Sequence, residues 1–135
     1  MGENNDKKNN RYTDKNLMME KIDFIDSCFQ WVHEANPNAY LIINEFNIVA
    51  NEKSRQQFYD VVKALKAKNA PVSGLGIQMH EPNQGRYYYS PLQIWETFKT
   101  YSDFNLPLHV TEFILVSNGD SIKGNYKTGI WTEQV

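Results

Sequence analysis

Three short apolar runs in this 135-residue chain end in side chains able to do chemistry: Asn44 and Glu45, then Gln78 and His80, then Glu112. Carboxylates and imidazoles attack, protonate or orient polar bonds in water, and amides hold them in place. Each residue alone has a plain structural use. A Glu behind an apolar run commonly caps a helix or faces solvent, and a lone His commonly packs with its ring hydrogen-bonded. Three runs that end alike favour one shared site, because the carboxyl ends of parallel strands form the active face of α/β architectures. One chemistry suited to such a mouth is glycoside hydrolysis, in which one carboxylate attacks the anomeric carbon and a second, about 5 Å away in the retaining form, protonates the leaving oxygen.

Competing chemistries fit less well. His80-Glu81 does not open a His-Glu-x-x-His zinc helix, and the other histidines, His33 and His109, fall in a helical stretch and mid-strand. Both take a structural reading, and no metal site or cofactor is expected. Gly74-Leu-Gly76 lies inside an apolar run, where small residues give neighbouring side chains room, and not at a phosphate-cradling turn. A Ser-His-Asp triad lacks its elbow motif.

The elements that must position these residues follow from apolar spacing. From about Leu17 to Glu34, Ile22, Ile25, Phe29 and Val32 mark one buried helix face, which Asn36-Pro37 ends. Ala39 to Ile43 is a wholly apolar run suited to a strand covered on both faces. A second helix from about Glu52 to Lys68 buries Phe58, Val61, Val62 and Leu65, and Ala70-Pro71 breaks the chain before the strand Val72 to His80. Ser90-Pro91 supplies an N-cap and a preset first residue for a third helix with Leu92, Trp95, Phe98 and Tyr101 on its apolar face. Leu106 to Phe113 is a third strand. Strands alternating with helices, without a hairpin signal between them, predict right-handed βαβ units and a parallel sheet. Three strands are too few for a finished domain of that class, so a fragment with open edges is expected. Trp31 and Trp95, on helix bodies, are expected to pack between helix and sheet.

Composition narrows the partners. Fourteen Lys and Arg against 16 Asp and Glu give a net charge of −2, which offers no electrostatic footprint for nucleic acid or an anionic membrane. The single Cys28, flanked by Ser27 and Phe29, excludes an internal disulfide and reads as buried filler. No apolar run approaches the roughly 18 residues of a membrane span, and the first ten residues lack the apolar core of a signal peptide. Residues 1–16 are polar, Asn- and Lys-rich and aperiodic, which predicts a solvated arm, with 17–135 as the structured part. Nothing in the residues sets an oligomeric state.

The motifs also carry a family resemblance. Asn36-Pro-Asn-Ala39 followed by Leu41-Ile-Ile-Asn44-Glu45-Phe46-Asn47 resembles the fifth-strand NP.A.L..NDYN segment of glycoside hydrolase family 10, the endo-1,4-β-xylanases. Gly74-Leu-Gly-Ile-Gln78-Met-His80 resembles that family's sixth-strand GIG.Q.H, and Leu106-Pro-Leu-His-Val-Thr111-Glu112 its seventh-strand LP..ITE. Trp131 and Gln134 are similar to residues that open the next helix. The resemblance implies a partial (β/α)8 TIM barrel of about strands five to seven, from the C-terminal part of the catalytic domain, incomplete on its own.

It further implies a retaining enzyme that hydrolyses internal β-1,4 bonds of xylan or xylo-oligosaccharide, without a metal or cofactor and with an extracellular or periplasmic destination. Glu112 matches the nucleophile, His80 the histidine that orients it, and Gln78 a cleft glutamine. Asn44 and Glu45 fall in binding or supporting positions. Glu45 is not the acid/base residue, because the family separates acid/base and nucleophile by two strands and one strand separates Glu45 from Glu112. Among Tyr87, Tyr88 and Tyr89 one sugar contact is expected, since pyranose faces stack on aromatic rings. Ile114 departs from the family's acidic residue at that position, which puts the support of His80 in doubt. The fourth-strand acid/base Glu is outside the chain, so the polypeptide alone is expected to be inactive. Two alternatives stay open: another β-glycanase of the same architecture, and a non-catalytic oligosaccharide-binding relic.

Overall fold

A computed structural model describes residues 16–80 and 89–114. Tyr87, Tyr88, Trp131, Gln134, the side chain of Ile114 and all but the last residue of the polar arm lie outside the described residues. A 3₁₀ turn at Met19–Lys21 leads into α1 (Ile22–Ala35), followed by β1 (Ile42–Glu45), α2 (Glu52–Ala67), β2 (Gly74–His80), α3 (Pro91–Ser102) and β3 (Leu108–Ile114). The strands are parallel and lie side by side in the order β1-β2-β3.

Local chemistry sets the helix boundaries. Asn51 caps α2 by accepting from the Ser54 amide at 3.0 Å. Ser90 and Gln93 form a reciprocal capping box ahead of Pro91, which satisfies amides that the first turn leaves unpaired. Asn69 and Asn105, with φ of 58° and 52°, adopt the left-handed conformation just beyond α2 and α3. An asparagine there lets the chain reverse, and the Ala70 amide reaches back to the Leu65 carbonyl at 3.0 Å.

The helices cover one face of the sheet. Ile43, Leu75, Ile77 and Met79 pack against Phe58, Val61, Val62 and Leu65 of α2 and Tyr101 of α3. Each such side chain, fully buried, contributes roughly 1.5–3 kcal/mol, so this layer carries most of the stability. Arg55 is the charged member of the layer: its Nε and Nη2 donate to the carbonyls of Ile48 and Val49, and Nη1 lies 3.5 Å from Glu96. The Tyr101 hydroxyl in turn donates to the Arg55 carbonyl at 3.0 Å. These bonds pin the turn that follows β1.

Several expectations change: no side chain of α1 is fully buried, Val32 is exposed, and Cys28 is half-buried and not core filler. β1 begins at Ile42, and only one of its faces is covered: Ile43 is buried, whereas Ile42 faces the side of the sheet that no described helix covers. Trp31 and Trp95 are 59% and 65% exposed and do not pack between helix and sheet. The α3 face that meets the core is Thr97 and Tyr101, with Ile94 and Phe98 partly buried, and Leu92 is exposed. Apolar periodicity marked the right helices, but among the described residues α1 and α3 each pack on α2, and Trp31 and Trp95 stand on parts of those helices that the described core does not cover.

Candidate functional site

Strand alternation divides the residues of β2 between two environments. Leu75, Ile77 and Met79 enter the helix-covered core, so Gly74, Gly76, Gln78 and His80 face the other, inner side. Glycine at the first two inner positions makes room for neighbours. A Cβ on Gly74 would lie 2.9 Å from the Tyr40 hydroxyl, and one on Gly76 would lie 2.9 Å from Thr111 Cγ2. Tyr40 and His109 meet over Gly74 with hydroxyl and Nε2 3.1 Å apart and rings edge to face, which gives His109 a partnered, structural setting.

Glu112 reaches the inner side through an irregularity in β3. Gly76 pairs with His109 and Ile77 with Val110, but the next residue of β2, Gln78, pairs with Glu112. Thr111 is therefore the extra residue of a β-bulge, and both Thr111 and Glu112 face inward, in succession. Simple alternation from His109 would have sent Glu112 toward the helices.

The bulge brings three sequence-predicted residues together. Gln78 Nε2 donates to Glu112 Oε1 at 2.8 Å, and His80 Nε2 bonds Glu112 Oε2. Among the described residues each carboxylate oxygen has one hydrogen-bond partner, and it keeps lone-pair capacity for a further one. The Glu112 and His80 side chains remain 45% and 36% exposed, so the carboxylate is aimed but accessible. The Tyr89 hydroxyl donates to the His80 carbonyl and ties the start of the α3 segment to the end of β2.

The other candidates are placed differently. Asn44 is inward, and its Oδ1 accepts from Thr111 Oγ1 at 2.7 Å. Glu45, next in β1, falls by alternation on the face of Ile43, and its Oε1 accepts from the Phe46 amide at 2.8 Å. It does not join the cluster. Among the described residues, no group of three or more His, Cys, Asp or Glu side chains is placed to hold a metal ion, and no helix is long and apolar enough to cross a membrane.

Sequence reasoning missed Thr111 and Arg55 as structural determinants of this site, and it offered Tyr89 as a sugar contact without its bond to the His80 carbonyl. For Arg55 a signal existed, since it precedes Phe58 by three residues on the buried face of α2. For Thr111 none did, because a bulge is a property of strand pairing and leaves no mark in one strand's residues.

The model of the glycosyl hydrolase family 10 sequences matches residues 3–128. An exoglucanase, XynX, from Acetivibrio thermocellus is 47% identical over 58 residues, covering 43% of this chain and 5% of that protein. The endo-1,4-β-xylanase B of Paenibacillus barcinonensis is 36% identical over 93 residues, covering 69% of this chain and 27% of that protein. The solved structure of an intracellular xylanase from Thermoanaerobacterium saccharolyticum, in complex with xylotriose, superposes with a TM-score of 0.60 at 33% identity, covering 67% of this chain and 26% of that one. The chain thus spans well under a third of the length of these relatives.

Proposed function

Because the chain belongs to glycosyl hydrolase family 10, we propose that it is the part of a retaining endo-1,4-β-xylanase that carries the nucleophile, Glu112. Its sheet and helices are a partial (β/α)8 barrel, and the inner side of the sheet is the side that faces a barrel's interior. The observation that carries the reading is the hold on Glu112, with Gln78 on one oxygen and His80 on the other, at an accessible position. Two hydrogen-bond partners, one on each oxygen, fix the rotation of the carboxylate, which is what a nucleophile needs before bond formation.

In the proposed reaction a Glu112 oxygen attacks the anomeric carbon of a xylosyl unit as the glycosidic C–O bond breaks. The leaving oxygen takes a proton from a second carboxylic acid. Water, deprotonated by that same group, then attacks the anomeric carbon and frees Glu112. Alternation puts Glu45 on the Ile43 face of β1, which supports a source other than Glu45 for the acid. General acid catalysis is worth roughly 10²- to 10⁴-fold, so the chain by itself should not turn over xylan, and activity belongs to a completed barrel. Family analogy favours an extracellular or periplasmic destination, although the Thermoanaerobacterium saccharolyticum relative is an intracellular enzyme.

The test is a complete barrel made by joining this chain to the preceding and following strands of the Paenibacillus barcinonensis xylanase. Glu112→Gln in that protein should lower the release of reducing sugar from xylan by roughly 10³-fold or more while xylo-oligosaccharide binding stays measurable. Unchanged turnover would remove Glu112 from its role. A second reading, a β-glucanase on the same scaffold, draws on the similarity to the Acetivibrio thermocellus exoglucanase. Parallel assays on xylan and β-glucan separate the two.

A further inference from the structure

We propose that Asn44 and Thr111 form a strut that sets the angle of Glu112, a positioning role that rests on reading Glu112 as the nucleophile. Thr111 is the extra residue of the β3 bulge, so it has no opposite number in β2. Its side chain instead bonds Asn44, two strands away, with Oγ1 donating to Oδ1 at 2.7 Å. β1 and β3 are not neighbours in the sheet, and a direct side-chain bond between them must pass over β2.

Gly76 makes that passage open. It pairs with Asn44 in the β1–β2 register, and a Cβ placed on it would stand 2.9 Å from Thr111 Cγ2 and 3.0 Å from Asn44 Cγ. Any larger residue at 76 would wedge the strut apart. The amide and the hydroxyl therefore tie β1 to β3 across the glycine of β2, one residue before Glu112.

The strut acts on a different part of Glu112 from its two carboxylate partners. Gln78 and His80 hold the carboxylate head. The Asn44–Thr111 bond holds the residue whose peptide group Glu112 shares. A bulge interrupts the ladder that would otherwise fix backbone rotation at this point, and a side-chain tether on its extra residue replaces that restraint. Displacement of a reacting group by about 1 Å can cost roughly 10²-fold in rate, so small rotations at the bulge matter.

The test uses the full chain within the complete barrel described above, assayed for kcat and KM on xylan. Thr111→Val keeps the side chain's shape and removes its donor, and it should lower kcat roughly 10- to 100-fold with KM within about twofold. Thr111→Ser restores the hydroxyl and should recover most of that loss. Asn44→Ala should match Thr111→Val, and the double variant should lose no more than either one, because both remove the same bond. Gly76→Ala leaves both bonding groups in place and should also lower kcat by wedging them apart. If Thr111→Val does not fold, Asn44→Ala and Gly76→Ala carry the same test. Wild-type kcat in these variants, or a loss that serine does not rescue, overturns the strut while Glu112→Gln still abolishes turnover. Retained turnover in Glu112→Gln overturns the nucleophile assignment instead.

Discussion

The end of β1 and the bulge of β3 each place a small polar residue directly before a glutamate, Asn44-Glu45 in one case and Thr111-Glu112 in the other. In β1 regular alternation splits the pair: Asn44 faces inward and Glu45 falls on the helix side, its carboxylate on the neighbouring Phe46 amide. In β3 the extra residue keeps the pair together on the inner side, where Thr111 meets Asn44 and Glu112 meets Gln78 and His80. The difference lies in register alone. Two glutamates in like sequence settings acquire unlike surroundings because one strand follows the pleat and the other breaks it.

That contrast can be broken at either end. The largest effect is expected at Glu112: in the complete barrel, Glu112→Gln should remove roughly 10³-fold or more of kcat. Glu45→Ala should change kcat by less than about tenfold and instead cost up to about 1 kcal/mol of stability by removing an acceptor from the Phe46 amide, read by urea unfolding. Comparable losses in kcat for both would dissolve the distinction. Next is the helix side that receives Glu45. Leu65→Ala empties a fully buried position of α2 and should lower unfolding free energy by about 2–5 kcal/mol, with the kcat of the folded fraction little altered.

A smaller change should follow at the head of Glu112. A hydrogen bond to a charged group is worth about 1.5–3 kcal/mol, so His80→Ala should lower kcat roughly 10- to 100-fold and leave Gln78 on the other oxygen. A loss confined to KM would move His80 from orienting the carboxylate to binding substrate. The smallest effect lies farthest from both glutamates. Lys68 donates to Asp23 at 2.7 Å, and that hydrogen bond, followed by the carboxylate's charge, raises the Lys68 pKa above its ordinary 10.5. A group raised on folding contributes its stabilisation in full below the ordinary value and loses it as pH climbs through the folded one. Lys68→Met should therefore flatten the alkaline decline in thermal midpoint and barely move the midpoint at neutral pH, since an exposed pair is weak there.

Much of the scaffold is legible in the residues alone. Ser90-Pro91 names the start of α3 through capping chemistry that acts within one turn, and the Phe58, Val61, Val62 and Leu65 spacing names the buried face of α2. The helix–strand alternation requires a parallel sheet, because connections of that length and kind cannot make hairpins. Trp31 and Trp95 were misread for a physical reason: spacing identifies an apolar stripe without identifying the neighbour that covers it.

Residue types and local spacing thus determined the elements, their order and the identities of Glu112, His80 and Gln78 as groups with chemistry to offer, since caps, breakers and periodicity act over a few residues. Tertiary structure alone decided which of these groups share a face, because facing depends on pairing between strands tens of residues apart. The unpaired Thr111, the room above Gly76 and the reach of Asn44 across β2 exist only once three strands lie side by side.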